Sequence, residues 1–332
     1  MKFLFLSKSE GDPATRYRSA PVVSLLRARG DTVDCGYESA FMDQVRILKN
    51  AASYDAVFIQ RKLFSRWFIR LLNIRAKRIF FDFDDAVFLK SSGQPSLTRA
   101  AKFAQTVRAA DQVFAGNSYL QEAASAYHSN VQLTPTCVDV NRYSEDHQPE
   151  DAEPSSKHQL TMVWIGSRST SKYLHQHLSA LDAIGEAYPD VVFNIIANFS
   201  LETRYLRVNP IDWSEASEVE LLRRADVGIA PMTDDPWTRG KCALKVIQYM
   251  AAGLPVVSSR VGANEDLVVQ GETGYLVQSD DEWVDAIGKL RASPALRSAM
   301  GHNARERAKS HFDVAVVARH IVSAMDEVCA HQ

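Results

Sequence analysis

Short apolar runs, each followed by a longer stretch with helical spacing, recur from one end of the chain to the other. This is the pattern of parallel strands joined by crossover helices. In the first half, strands are predicted at residues 2–7, 32–36, 56–60, 78–83, 112–115 and 131–134, with helices at 16–29, 65–74, 96–109 and 118–127. Residues 144–158, with two prolines, five acids and three serines, have neither period and are expected to form a linker;. The alternation then restarts, with strands at 161–165, 191–196, 227–230, 256–258 and 275–277 and helices at 172–187, 218–224 and 244–252. The tail from 280 to 328 is helical in period, and its last part, from Ser310 onward, is long enough to cross back over the first domain. The pattern predicts an α/β chain of two tandem, doubly wound, Rossmann-like domains: 1–143, a linker at 144–158, 159–309, and a returning C-terminal helix at 310–332.

Composition narrows the setting. At 332 residues the chain has room for two domains, and its 46% hydrophobic content supplies two cores;. With 38 basic and 40 acidic residues, a net charge of −2, a nucleic-acid groove built on bulk charge is not expected;. Cys35, Cys137, Cys242 and Cys329 are widely spaced, so neither a zinc site nor a disulfide framework is indicated;. No apolar run approaches the ~20 residues of a membrane span, and Phe3-Leu4-Phe5-Leu6 is too short for a signal-peptide core;. A cytoplasmic protein, or one held at the inner membrane face, is expected. A basic and aromatic stretch from Arg61 to Arg78, containing Trp67, Phe68, Arg66, Arg70 and Arg75, suits peripheral contact with an anionic surface, and equally a core-packing helix with a solvated basic face;.

Open α/β sheets bind ligands beyond the carboxyl ends of their strands, so the segments after each strand hold the candidate chemistry. After the first strand, a polar loop containing Gly11 enters a helix carrying Arg16 and Arg18, suited to an anion or to simple surface cover;. There is no G-x-G-x-x-G fingerprint;. Asp82, Asp84 and Asp85 end another strand. They could hold Mg²⁺, serve as the Asp-x-Asp loop of a haloacid dehalogenase-like phosphohydrolase, or act as turn and cap residues;. Ala86 stands where that hydrolase motif wants Thr or Val. Gly166, Ser167, Arg168 and Lys172 open the second domain after a strand and could neutralise a diphosphate;. Finally, Lys241, Lys245 and Gln248 fall at spacings of four and three, which places all three near one face of a helix beginning at the first lysine, beside a loop holding Asp234, Asp235, Trp237 and Arg239;.

From Lys241 to Ser258, then through Val261-Gly262-Ala263-Asn264-Glu265 and Gly271-Glu272-Thr273-Gly274-Tyr275-Leu276-Val277, the chain resembles the retaining nucleotide-sugar glycosyltransferases of the GT-B fold, group 1 (family 4). Residues 131–139 are similar to the segment leading out of that family's first domain. The resemblance implies a deep interdomain cleft and a nucleotide-diphosphate sugar held mainly by the second domain, at Gly166, Ser167, Arg168, Lys172, Lys241, Lys245, Gln248 and Glu265. It also implies a glycan or lipid-linked acceptor held mainly by the first, near Gly11, Arg16 and Arg18, as in polysaccharide biosynthesis. The family's two donor-helix glutamates match Gly240 and Gln248 here. Asp234 or Asp235 could then take the sugar-hydroxyl contact, and Asp84 and Asp85 stand about where many relatives carry a histidine. Metal-free transfer with retention, catalysed with Asp84, Asp85 and Asp235, is therefore expected, with no cofactor beyond the nucleotide sugar as co-substrate. The alternatives are a catalytically silent nucleotide-sugar or glycan binder and a Mg²⁺ phosphohydrolase using Asp82 and Asp84.

Overall fold

The structure, a computed structural model, describes all residues except 38–39, 145–158 and 331–332. The linker expected at 144–158 lies outside the described residues apart from Ser144. The chain forms two compact units. The first comprises Met1–Cys137, Asp235–Cys242 and Val314–Gln332, and the second Val138–Asp234 and Ala243–Asp313. The eight residues from Asp235 to Cys242 thus belong with the first unit, although the alternation of elements had placed them inside the second.

The first unit is built on six parallel strands: β1 (Lys2–Leu6), β2 (Thr32–Gly36), β3 (Ala56–Gln60), β4 (Ile79–Phe83), β5 (Gln112–Ala115) and β6 (Val131–Leu133), in the order β2-β1-β3-β4-β5-β6. Residues alternate between two apolar layers. Phe3, Phe5, Phe58, Phe80 and Phe114 face one side with α1 (Ala20–Ala28). Leu4, Leu6, Val57, Ile59, Phe81 and Phe83 face the other with α3 (Arg66–Arg75), α4 (Leu97–Ala109) and α5 (Ser118–Ser125). Near-continuous apolar strands of this kind need both faces covered. The first face is completed by the chain's last helix, α14 (Val314–Ala330), whose Val317, Ile321 and Met325 recur at four-residue intervals and are buried against it. A helix at Phe41–Asn50, α2, was not expected from the sequence: its N-cap, Ala40, offers no side-chain oxygen, and Phe41 and Met42 begin it exposed.

The second unit has strands β7 (Thr161–Ile165), β8 (Val192–Ile196), β9 (Arg207–Ile211), β10 (Val227–Ala230), β11 (Val256–Ser259) and β12 (Gly274–Val277), in the order β12-β11-β10-β7-β8-β9. The sequence hid β9, an edge strand interrupted by Pro210, a residue tolerated only where one side of the strand lacks a neighbour;. The single helix expected over 172–187 is two, α6 (Ser171–Gln176) and α7 (Leu178–Ala187), broken at His177.

Strand order reverses between β7 and β10, where a doubly wound sheet opens a crevice;. Their register pairs Met162 with Val227 and Val163 with Gly228 and goes no further. Past that point the Tyr249 hydroxyl spans the gap, accepting from Ile165 N at 3.0 Å and donating to Ile229 O at 3.2 Å. Gly228 makes room for the ring, since a Cβ there would lie 2.3 Å from Tyr249 Cγ.

Removing that hydroxyl strands a buried amide, so Tyr249→Phe should cost about 1–3 kcal/mol in denaturant unfolding. Gly228→Ala should cost a similar ~1–3 kcal/mol by overpacking. Gly11→Ala, where nothing lies within 4 Å of the added carbon, should leave the unfolding midpoint unchanged.

Candidate functional site

In the first unit the strand order reverses between β1 and β3, and the loops leaving these strands line a cavity of about 120 Å³ bounded by Lys8, Asp12, Ala14, Gln60, Arg61 and Lys62. Arg61 follows β3 directly and sits at φ 60°, a left-handed conformation that costs a side-chain-bearing residue about 1–2 kcal/mol;. This backbone turn sends its guanidinium among three carboxylates: Asp12 at 3.8 Å, Asp84 at 3.4 Å and Asp85 in a closer ion pair. Asp85 is buried, and its other oxygen accepts from the Lys241 ammonium at 2.7 Å. Asp84 Oδ1 is buried with no hydrogen-bond donor among the described residues. Burial pushes the Asp84 carboxyl above the usual range; Arg61 and Arg18 pull against this, while Asp85 and Asp82 reinforce it.

Beneath this group lies a fully compensated pair. Arg18 and Asp82 have side chains about 1% exposed. Arg18 Nε donates to both carboxylate oxygens, at 3.1 and 2.9 Å, and its Nη1 reaches Thr134 O at 3.0 Å. The turn carrying Arg18, Thr15–Ser19, is wound as a π-helix, with Thr15 and Ser19 directed at Gln60. Of the three expected acceptor residues, Gly11 is exposed and Arg16 is half-buried with its guanidinium over the Tyr17 ring, whereas Arg18 is sealed in and cannot meet a ligand directly. Asp82, offered as a nucleophile in the hydrolase alternative, is the carboxylate that Arg18 neutralises. No group of three or more His, Cys, Asp or Glu side chains is placed to hold a metal ion among the described residues.

The segment Asp235–Cys242 closes over the same strand ends. Asp235 caps the short helix α9 (Pro236–Arg239), its Oδ1 accepting from Trp237 N and Thr238 N at 2.7 and 2.9 Å. Asn117, after β5, donates to the carbonyls of Arg239 and Lys241 at 3.0 and 2.9 Å. The Cys242 thiol donates to Asp84 O, and burial raises its pKa. Gly240 admits Ala86, which an added Cβ would meet at 2.6 Å. The expected donor helix therefore does not contain Lys241. Helix α10 runs Leu244–Ala251 after Ala243 at φ 50°, so the four-residue spacing of Lys241 and Lys245 does not put them on one helical face. Asn117, Asp12 and Arg61 were not singled out for this cluster, because their partners are distant in sequence.

In the second unit, Gly166 follows β7 so closely that a Cβ would lie 2.3 Å from the Trp164 ring. Beyond it, Ser167 and Thr170 close a reciprocal cap and leave Arg168 and Lys172 exposed. The Lys245 ammonium rests 4.1 Å from the centroid of the same Trp164 ring. The Gly166 loop and Lys245 are thereby brought onto one indole. At the adjoining strand end, Ser259 Oγ accepts from Met232 N at 2.9 Å and lies 3.4 Å from His177 Nε2, a polar contact not anticipated. Glu265 is exposed on the short helix α11 (Ala263–Leu267). Gln248 is buried, and its amide nitrogen donates to Glu218 Oε1 at 2.8 Å.

Residues 159–293 match the family described as glycosyl transferases group 1. Among curated proteins, the chain is similar to a D-inositol 3-phosphate glycosyltransferase of Corynebacterium glutamicum, 30% identical over 148 residues, covering 44% of this chain and 34% of the relative. It is also similar to spore coat protein SA of Bacillus subtilis, 23% identical over 182 residues, covering 50% and 48% respectively. These matches span less than half the length of either relative. Among solved structures, the chain is similar to Anabaena HepE in complex with UDP and glucose, with TM-score 0.70 and 16% identity over 98% of this chain and 100% of that one. It is equally similar to sucrose-phosphate synthase from Thermosynechococcus elongatus, with TM-score 0.73 and 16% identity over all of both chains. The fold is GT-B, and residues 159–293 match the group 1 glycosyltransferase family within it.

Removing the partner of Asp82 and removing the charge of Asp84 should have opposite effects on stability. Arg18→Met leaves Asp82 as an uncompensated buried charge and should cost about 3–5 kcal/mol. The folded chain holds the Asp84 proton more tightly than the unfolded chain, so this group removes stability as pH rises from 3.8 through the raised folded value;. Asp84→Asn should accordingly melt higher than the parent at neutral pH, with the difference shrinking in acid; a constant difference across pH would contradict the assignment.

Proposed function

We propose that the chain transfers a glycosyl group from a nucleotide-diphosphate sugar to a glycan or lipid-linked acceptor, with retention at the anomeric carbon. The observation that carries this reading is the packing of Gly166 and of the Lys245 ammonium on Trp164, at the strand reversal of a domain matching group 1 glycosyltransferases. Arg168, Lys172 and Lys245 supply positive charge for a diphosphate, and Glu265 supplies an exposed carboxylate for ribose hydroxyls. The solved neighbour bound to UDP and glucose supports this choice of donor. In such a site the protein acts by positioning and by stabilising the departing diphosphate. Cationic side chains do this without a metal.

On the acceptor side, the cavity at Lys8, Asp12, Gln60 and Arg61 offers donors and acceptors for sugar hydroxyls. Among the three carboxylates considered for catalysis, Asp84 is the one suited to handling a proton, since Asp85 is held by two cations and Asp235 is engaged in capping. All four cysteines are free, which supports a cytoplasmic setting;.

Calorimetry with UDP tests the donor site. Charge-assisted contacts contribute roughly 1.5–3 kcal/mol, so Lys245→Ala should weaken binding about ten- to a hundredfold, and Arg168→Ala comparably. Lys241→Ala, whose ammonium is held by Asp85, should change UDP affinity far less. Release of nucleotide from UDP-sugars in the presence of acceptor, unchanged by EDTA, distinguishes a transferase from a silent binder, which would bind without release.

A further inference from the structure

We propose that the face formed by α2 and α3 docks on an anionic lipid bilayer. Helix α3 buries Phe68, Ile69 and Leu72. Its opposite side presents Trp67, Leu71 and Ile74, at i, i+4 and i+7, exposed by 40%, 42% and 71%;. Phe41 and Met42, exposed by 65% and 73%, extend the patch from the start of α2, with the Phe41 ring centroid 5.7 Å from that of Trp67. Five of the eleven exposed large apolar residues among those described lie in this one place, whereas scattered single exposures would need no explanation;.

The charge around the patch is predominantly positive. Helix α3 carries Arg66, Arg70 and Arg75 and no acid; all three are exposed and form no ion pair among the described residues. At 100° per residue, Arg66 and Arg70 flank the apolar strip on one side and Arg75 on the other. The adjacent α4, tied to α3 by the Gln105 amide at 2.8 Å from Arg66 O, adds Arg99, Lys102 and Arg108, again with no acid. Helix α2 adds Arg46 and Lys49 against Asp43, which Arg46 and the Ala40 amide already engage. A chain of net charge −2 thus sets eight basic residues against one acid on three consecutive helices. A protruding aromatic and aliphatic strip rimmed by arginines matches the boundary between headgroups and acyl chains. The proposal is independent of the donor assignment.

The test is co-sedimentation of the full chain with phosphatidylcholine vesicles, with and without phosphatidylglycerol, at low and high salt. Wild type should bind the phosphatidylglycerol vesicles selectively and release in salt. Each basic contact is worth about fivefold, so Arg66→Gln/Arg70→Gln/Arg75→Gln should bind roughly a hundredfold more weakly. Trp67→Ser/Ile74→Ser should also lose binding, with an unchanged melting temperature showing that both variants fold. Equal binding to both vesicle types, or wild-type affinity in the arginine variant, would overturn the proposal. So would a dimer in lipid-free sedimentation velocity that Trp67→Ser dissociates, since the patch would then serve a second copy of the chain.

Discussion

The guanidinium of Arg18 and the carboxylate of Asp82 are both almost without solvent contact, and neither could be buried alone;. Their pairing fixes the first turn after β1 against the end of β4, and through Thr134 it reaches the chain leaving β6. Everything charged above it is arranged on that base. With Asp82 neutralised from below, Arg61 can serve Asp12, Asp84 and Asp85 at once, and Lys241 can be drawn in to satisfy the remaining oxygen of Asp85. The π-helical turn and the left-handed Arg61 are backbone departures concentrated at this point, where a sheet reverses its strand order;.

The second unit solves a similar problem with neutral groups. Where β7 and β10 part, backbone amides and carbonyls lose their ladder partners in a region too buried for water, and a tyrosine hydroxyl replaces the missing strand contact;. Trp164, on the last turn of the same strand, then becomes the floor on which a glycine loop and a lysine meet. One unit thus offers compensated charge and the other a half-buried lysine over an indole beside an exposed cationic loop, which are different arrangements on related topologies.

The strands were legible because both faces of each parallel sheet are covered, which makes their residues apolar without interruption; Pro210 concealed β9 for the same reason that it is tolerated there. Arg168 and Lys172 were legible because their loop follows a strand end, and Lys245 because it lies near the start of a predicted helix. The fate of Lys241 was not. Its spacing from Lys245 fits a helix, and nothing local reveals that Ala243 turns left-handed between them and that the preceding residues pack on another sheet. Arg18 and Asp82 were both noticed, yet 64 residues separate them, and the pattern of either neighbourhood is silent about the other. The contact of Gln248 with Glu218, on a helix of its own, was not legible either.

The passage of Asp235–Cys242 through the first unit, together with the burial of α14 on its sheet, bears on how the molecule is made. A ribosome that has released only residues 1–137 has delivered all six strands of that sheet but has left one face without Val317, Ile321 and Met325, and the rim without Lys241 and Cys242. The first unit cannot reach its final packing until residues 314–330 have been made. The second half, contained between residues 138 and 313, has its strands and covering helices in hand earlier. The order of maturation would then run against the usual N-terminal-first sequence, and the earlier unit would wait, partly open, for helix α14;.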